Sequence, residues 1–227
     1  MSELEWQALT LSLGIALRSV LFSLPLAIAL AWLLSRRRFP GRALLDAVVH
    51  LPLVLPPVAM GYLLLVLFGT HGVIGAWLHD HFGLQLAFSR GGAVLAVAVM
   101  SFPLLVRSIR ISFDHLDGGL IEAARSLGAG PLDRLFTISL PLLLPGILGG
   151  AVTAFAASLG EFGAVITFAA NIPGETRTLP LALYTALQMP GGDAAAARLA
   201  LLSFGLGLSG LLLSDGITRR MHRTMGR

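Results

Sequence analysis

Five stretches of this sequence, 9–34, 47–68, 92–110, 142–169 and 195–217, are each long and apolar enough to fill a bilayer, which takes about 20 residues in a helix. Hydrocarbon offers no partner to an unpaired backbone N–H or C=O, so a stretch that crosses it satisfies its backbone internally, as a helix. The expectation is an all-α integral membrane protein with about five transmembrane helices, built as a single transmembrane domain over residues 1–227. Composition agrees: 12% of the residues are charged and 56% are hydrophobic, against about 25% charged in a soluble domain. The start, MSELEWQALTLSLG, has no basic region before its apolar run and no small-residue cleavage site after it. It reads as a retained first span and not as a signal peptide.

All the Lys+Arg positions are arginine, with no lysine anywhere in the chain. Arginines follow the topology of the spans. Arg36–Arg38, Arg42, Arg107, Arg110, Arg125, Arg134, Arg219, Arg220, Arg223 and Arg227 fall on one side, and Arg90 and Arg177 in the opposite loops. The excess of positive charge marks the cytoplasmic side. The predicted topology is multi-pass, with the N-terminus outside and the C-terminus in the cytoplasm. The net charge of +4 therefore reads as topology and not as a nucleic-acid surface. Without lysine the chain lacks the P-loop needed to hold a nucleotide phosphate. Without cysteine it has no disulfide, thiolate metal site or cysteine nucleophile.

Residues 111–141 are the main polar interruption and fall on the arginine-rich side. Leu116, Leu120, Ala123 and Leu127 recur at helical spacing. Gly128 and Gly130 then break that helix, and Pro131 suits the first position of another. The second short helix carries Leu132, Leu135 and Phe136 on one side, with Asp133 and Arg134 on the other. Two amphipathic helices joined by a glycine elbow form a knuckle that protrudes from the membrane.

Other polar residues lie at or within the spans. Arg18 reads as a snorkelling side chain, with a role in drawing anions towards a pore as the second reading. Pro52, Pro56, Pro57 and Gly61 break the second span, as is tolerated where a helix is buried in protein or lines a cavity. His71, His79 and His81 sit in an interfacial loop. His79 and His81 are two residues apart, which points them to different faces of a helix, so no metal site is predicted. Glu161, within Gly160-Glu161-Phe162-Gly163, is a candidate pathway residue by its depth. The competing reading is structural, an acid that pairs with an arginine or caps a helix break. At the outer mouth Asn171, Thr176, Arg177 and Thr178 offer donors for an anion, or serve as ordinary loop residues. In the last span Gly205 and Ser209, four apart, suggest a packing face.

The knuckle resembles a family pattern. Permease subunits of ABC importers carry E-A-A-x3-G-x9-I-x-L-P in a cytoplasmic loop, and Glu122, Ala123, Ala124, Gly128, Ile138, Leu140 and Pro141 fill each fixed position. Most of the remaining chain is similar to the molybdate branch of that family, notably FPGRALLDAVVHLPLVLPPVAMGYLLL, SLGEFGAVITFAANIPGETRTLPLALY and PGGDAAAARL. Sulfate and thiosulfate permeases are the nearest alternative, since they too move a tetrahedral dianion.

The resemblance implies the type I importer (MetI-like) fold in a bacterial cytoplasmic (inner) membrane, moving molybdate and also tungstate. It implies a homodimer with the pathway between its halves, surrounded by lipid. Two copies of a cytoplasmic ATPase subunit would dock on the EAA loop, and an extracytoplasmic molybdate-binding protein would deliver the anion. It implies a transport subunit that is not itself an enzyme and that holds no cofactor, metal or nucleic acid.

Two other classes fit the sequence less well. A membrane-embedded enzyme needs a catalytic cluster at one membrane face, whereas His50, His115 and His222 are scattered and Glu161 has no partner in sequence. A secondary transporter would carry inverted repeats of broken spans, and none is evident.

Overall fold

The computed structural model describes residues 2–36 and 39–224. Of the arginines used to orient the chain, Arg37, Arg38 and Arg227 lie outside the described residues. Among the described residues the secondary structure is entirely helical. The helices are α1 (Glu3–Arg36), α2 (Arg42–His50), α3 (Pro57–Phe68), α4 (Val73–Phe82), α5 (Arg90–Asp114), α6 (Gly118–Ser126), α7 (Pro131–Arg134), α8 (Leu140–Leu159), α9 (Gly163–Phe168), α10 (Leu179–Leu187) and α11 (Asp193–Thr224).

Four helical stretches are long and apolar enough to cross a membrane among the described residues: Glu3–Ser35, Arg90–Asp114, Pro131–Leu159 and Asp193–Leu213. A fifth arises if Arg42–Leu53 and Pro57–Phe68, bent by 115° at their junction, count as one span. The protein is thus a multi-pass membrane protein. The apolar run 47–68 is not one kinked rod. Pro52 starts a short 3-10 turn over Leu51–Leu53, and Pro56 and Pro57, which lack N–H groups, let the chain turn sharply before α3 begins. The run 142–169 also divides. Helix α8 ends at Leu159, and the chain opens over Gly160–Phe162 before α9 begins.

The core is a bundle of α1, α5 and α8. Ala27, Ala31 and Leu34 of α1, Leu105, Val106 and Ile109 of α5, and Leu143, Ile147 and Ala154 of α8 form one buried cluster. Helices approach closely in a membrane where small residues face one another. Here Gly146 and Gly150 of α8 sit against Ser112 and Ser108 of α5, and a Cβ on Gly150 would lie 2.8 Å from that of Ser108. The Ser108 hydroxyl donates to the Gly146 carbonyl at 3.0 Å. Helix α11 packs on α8 through Gly210, whose added Cβ would stand 2.8 Å from the Ala156 Cβ. The expected pair Gly205 and Ser209 is exposed instead, with open space at Gly205. Spacing identified a small-residue face, but the neighbouring helix uses the next one round.

A second cluster lies near the end of the bundle that carries the N-terminus. It joins Ile15 of α1, Leu64 of α3, Ala93, Ala96 and Val97 of α5, and Ala164, Val165 and Phe168 of α9. That end, with α4, the 170–178 loop and α10, is called the Glu3 face below. The opposite end, with α2, α6 and α7, is called the Arg42 face.

Candidate functional site

On the Arg42 face the segment 118–141 stands out from the bundle. Asp117 caps α6, its Oδ1 accepting from the Gly119 N–H at 2.8 Å. The helix stops because Gly128 adopts φ +88°, a conformation that costs a side-chain-bearing residue about 1–2 kcal/mol. The Gly128 N–H donates to the Arg125 carbonyl at 3.1 Å and the Ala129 N–H to the Ala124 carbonyl at 3.0 Å. This pair of bonds is a Schellman closure. Pro131 then opens α7 at its first position. A π turn over Leu135–Ser139 carries α7 directly into α8, so the second short helix is the foot of a span.

The sequence motif is split between two settings. Glu122, Ala123 and Gly128 are exposed on the protruding part and Ala124 is half-buried. Leu140 packs against the α1–α5–α8 core; Ile138 is half-buried and Pro141 exposed beside it. Apolar side chains on the protruding part find no cover: Leu120 is 50% exposed, Leu127 89%, Leu132 69% and Phe136 62%. Leu116 precedes the Asp117 cap, so the helical stripe begins at Leu120.

The residues predicted at the outer mouth form one folded loop on the Glu3 face. The Thr176 hydroxyl accepts from the Ile172 N–H at 2.9 Å and donates to the Ala170 carbonyl at 3.2 Å, and the residue is fully buried. Arg177 Nε donates to Asn171 Oδ1 at 2.9 Å, and Asn171 Nδ2 donates to Thr185 Oγ1 of α10 at 2.9 Å. Thr178 is buried, and its hydroxyl has no hydrogen-bond partner. Its neighbour, the Leu179 N–H, donates to Ser12 Oγ of α1 at 2.7 Å. The set is brought together, chiefly through its own contacts.

Glu161 sits in the α8–α9 break. Its Oε1 accepts from the Ala164 N–H at 2.9 Å, so the carboxylate caps the first turn of α9. The break lies directly against the bend in the 42–68 segment. A Cβ on Gly163 would come within 2.7 Å of the Pro57 Cβ, and one on Gly61 within 2.7 Å of the Thr167 Cβ. Two interrupted helices are thus packed on each other inside the apolar zone. Irregular backbone at that depth requires cover by protein or a water-filled cavity.

Two ion pairs lacked any sequence signal because their partners are far apart in the chain. Arg110 Nη1 of α5 donates to both carboxylate oxygens of Asp46 of α2 at 3.1 Å. His50 Nδ1 stands 3.2 Å from the same carboxylate. These residues, with Arg107 and Asp114, line a cavity of about 680 Å³ on the Arg42 face. On the Glu3 face Arg198 of α11 donates through Nε and Nη2 to Glu5 Oε1 at 3.0 and 2.8 Å. The histidines of the 69–82 segment are used locally: His81 stacks on Trp77 with centroids 5.0 Å apart, and His79 faces Asp80.

Residues 23–223 match the family described as binding-protein-dependent transport system inner membrane component. The chain is 59% identical to the molybdenum transport system permease protein ModB of Escherichia coli K12, with 98% of this chain and 97% of that protein aligned. It is 53% identical to the ModB of Haemophilus influenzae, over 99% of this chain and 98% of that protein. Among solved structures it resembles a chain of a bacterial alginate ABC transporter in complex with an alginate pentasaccharide-bound periplasmic protein. The TM-score there is 0.72 at 18% identity, covering 97% of this chain and 80% of that one. At that identity the likeness is one of fold.

Proposed function

The chain belongs to the family of binding-protein-dependent transport system inner membrane components, and from that premise we propose that it is the membrane-spanning subunit of an ATP-driven importer carrying molybdate into the cytoplasm. One observation carries the substrate: 59% identity, along almost the whole of both chains, to a molybdenum permease. Tungstate, of the same shape and charge, is the expected second cargo. Sulfate or thiosulfate is not favoured, because the relatives that align over essentially the full chain are molybdenum permeases.

The energy comes from a partner. No lysine is present to build a P-loop, so ATP is hydrolysed by a separate subunit, one for each of two permease copies. Its docking surface is the exposed apolar set Leu120, Leu127, Leu132 and Phe136, with Glu122, Ala123, Ala124 and Gly128 setting the shape of the elbow. The arginine distribution supports a cytoplasmic position for this surface. The Glu3 face is then extracytoplasmic and receives the anion from a binding protein. Two copies of the chain enclose the pathway, with the paired breaks at Pro57 and Gly163 as the jointed part of its wall.

Specificity resides mainly in the binding protein, because a pathway that held a dianion tightly would release it slowly. Glu161 supports that arrangement as a structural cap.

The deciding experiment is complementation. In a bacterium whose own molybdate permease gene is deleted, this chain, co-expressed with its ATPase and binding protein, should restore molybdate uptake at nanomolar supply without restoring sulfate uptake in a sulfate-permease deletion. Restored sulfate uptake alone would replace the substrate, and uptake independent of the ATPase would overturn the class.

A further inference from the structure

Gln7, Thr10, Gly14 and Arg18 recur every three or four positions along α1, which puts them on one helix face. That face lines a cavity of about 360 Å³, completed by Leu11, by Arg90 at the start of α5 and by Gly174. Arg18 and Arg90, from two different helices, both line it.

The lining has two guanidinium groups and no carboxylate. Among the described residues neither Arg18 nor Arg90 has an acid within ion-pair distance. Arg90 donates from Nη2 to the Gly174 carbonyl and keeps its remaining donors. The Thr10 hydroxyl is turned onto the Trp6 and Gln7 carbonyls and offers no donor to the cavity. The cavity on the Arg42 face differs in this respect, since Asp46 and Asp114 offset its arginines there.

Depth narrows the ligand. Helix α1 has 34 residues, about 51 Å at 1.5 Å per residue, whereas the hydrocarbon layer is about 30 Å thick. Its polar start, Glu3, Glu5, Gln7 and Thr10, places the surplus of roughly 20 Å on the Glu3 side. The membrane–water boundary then falls about 14 residues into the helix, near Leu17 and level with Arg18. Below Arg18 the surface is apolar and open, with Leu21 58% and Phe22 76% exposed.

We propose that this recess is a binding site for a tetrahedral oxyanion, held by the guanidinium groups of Arg18 and Arg90. Two sources share that chemistry. One is the phosphate of an anionic phospholipid, whose chains would lie along Leu21 and Phe22. The other is the free dianion brought to this face, a source that rests on the transport function proposed above.

The test uses the full chain purified into nanodiscs. Native mass spectrometry counts phosphatidylglycerol retained against a phosphatidylcholine background, and calorimetry measures molybdate binding in phosphatidylcholine alone. Two variants are compared with wild type. Arg18→Gln removes a charge, and Gly14→Leu fills the recess, where an added Cβ meets open space. Loss of one charge-assisted contact should weaken the relevant anion roughly tenfold. A fall in phosphatidylglycerol alone assigns the lipid phosphate, and a fall in molybdate alone assigns the free dianion. If both variants, folded by size-exclusion profile, bind both anions as wild type does, the site is refuted. Complementation of uptake with such unchanged binding would sink this proposal and leave the transport function standing.

Discussion

Thr176 illustrates how a residue chosen for one chemistry can serve another. Its hydroxyl type and outer position fit an anion contact, yet both its donor and its acceptor capacity are used within the loop, on Ala170 and Ile172. Removing the hydroxyl leaves the half-buried Ile172 N–H without its partner, which costs about 1 kcal/mol. Thr176→Val should therefore lower the thermal midpoint of the detergent-solubilised protein, and an unchanged midpoint would show that the loop does not depend on this clasp. Glu161 is a second case. Glutamine keeps an oxygen that can accept from the Ala164 N–H, whereas alanine does not. Glu161→Gln should retain molybdate uptake within about twofold, and Glu161→Ala should destabilise by about 0.5–2 kcal/mol. Loss of uptake in the glutamine variant would mean that the charge, not the cap, is what transport needs.

At the scale of elements, the protruding segment 118–141 was the most readable part of the chain. Its glycines and proline dictate local backbone, and local backbone is what sequence encodes directly. Gly128 is the hinge of that element, with open space around it and a left-handed backbone. Gly128→Val fails through φ and not through a clash, at about 1–2 kcal/mol, which is enough to swing α7 relative to α6. The expected outcome is normal membrane insertion with ATP hydrolysis no longer tied to uptake. If uptake and ATPase rates both stay at wild-type values, the elbow does not set the docking geometry. The breaks in the 47–68 and 142–169 runs were less readable. Pro56, Pro57 and Gly160 announced interruptions, but hydropathy is blind to direction. A 115° bend and a shallow kink share the same composition.

At the scale of the whole molecule, the arginine pattern predicts sidedness, and the absence of cysteine makes it simple to measure. Single cysteines at Glu175→Cys, in the 170–178 loop, and Arg125→Cys, on α6, lie at exposed positions on opposite faces. A membrane-impermeant maleimide applied to intact spheroplasts should label the first at once and the second only after permeabilisation. The opposite order would invert the topology and, with it, the assignment of the docking face. The bundle itself is held by α1, α5 and α8, and Gly146 and Gly150 let α8 close on Ser112 and Ser108 of α5.

By itself the sequence determined that this chain crosses a membrane several times, which side its arginines favour, and where the polar knuckle turns. Each of these follows from local properties, hydropathy, charge and the conformations open to glycine and proline. Only the tertiary structure decided that Arg110 meets Asp46, that Arg198 meets Glu5, that Gly210 and not Gly205 packs on α8, and that Arg18 shares a recess with Arg90. Those pairings join residues tens to nearly two hundred positions apart. They are fixed by which helix faces touch, and an apolar helix seen alone offers several equivalent faces.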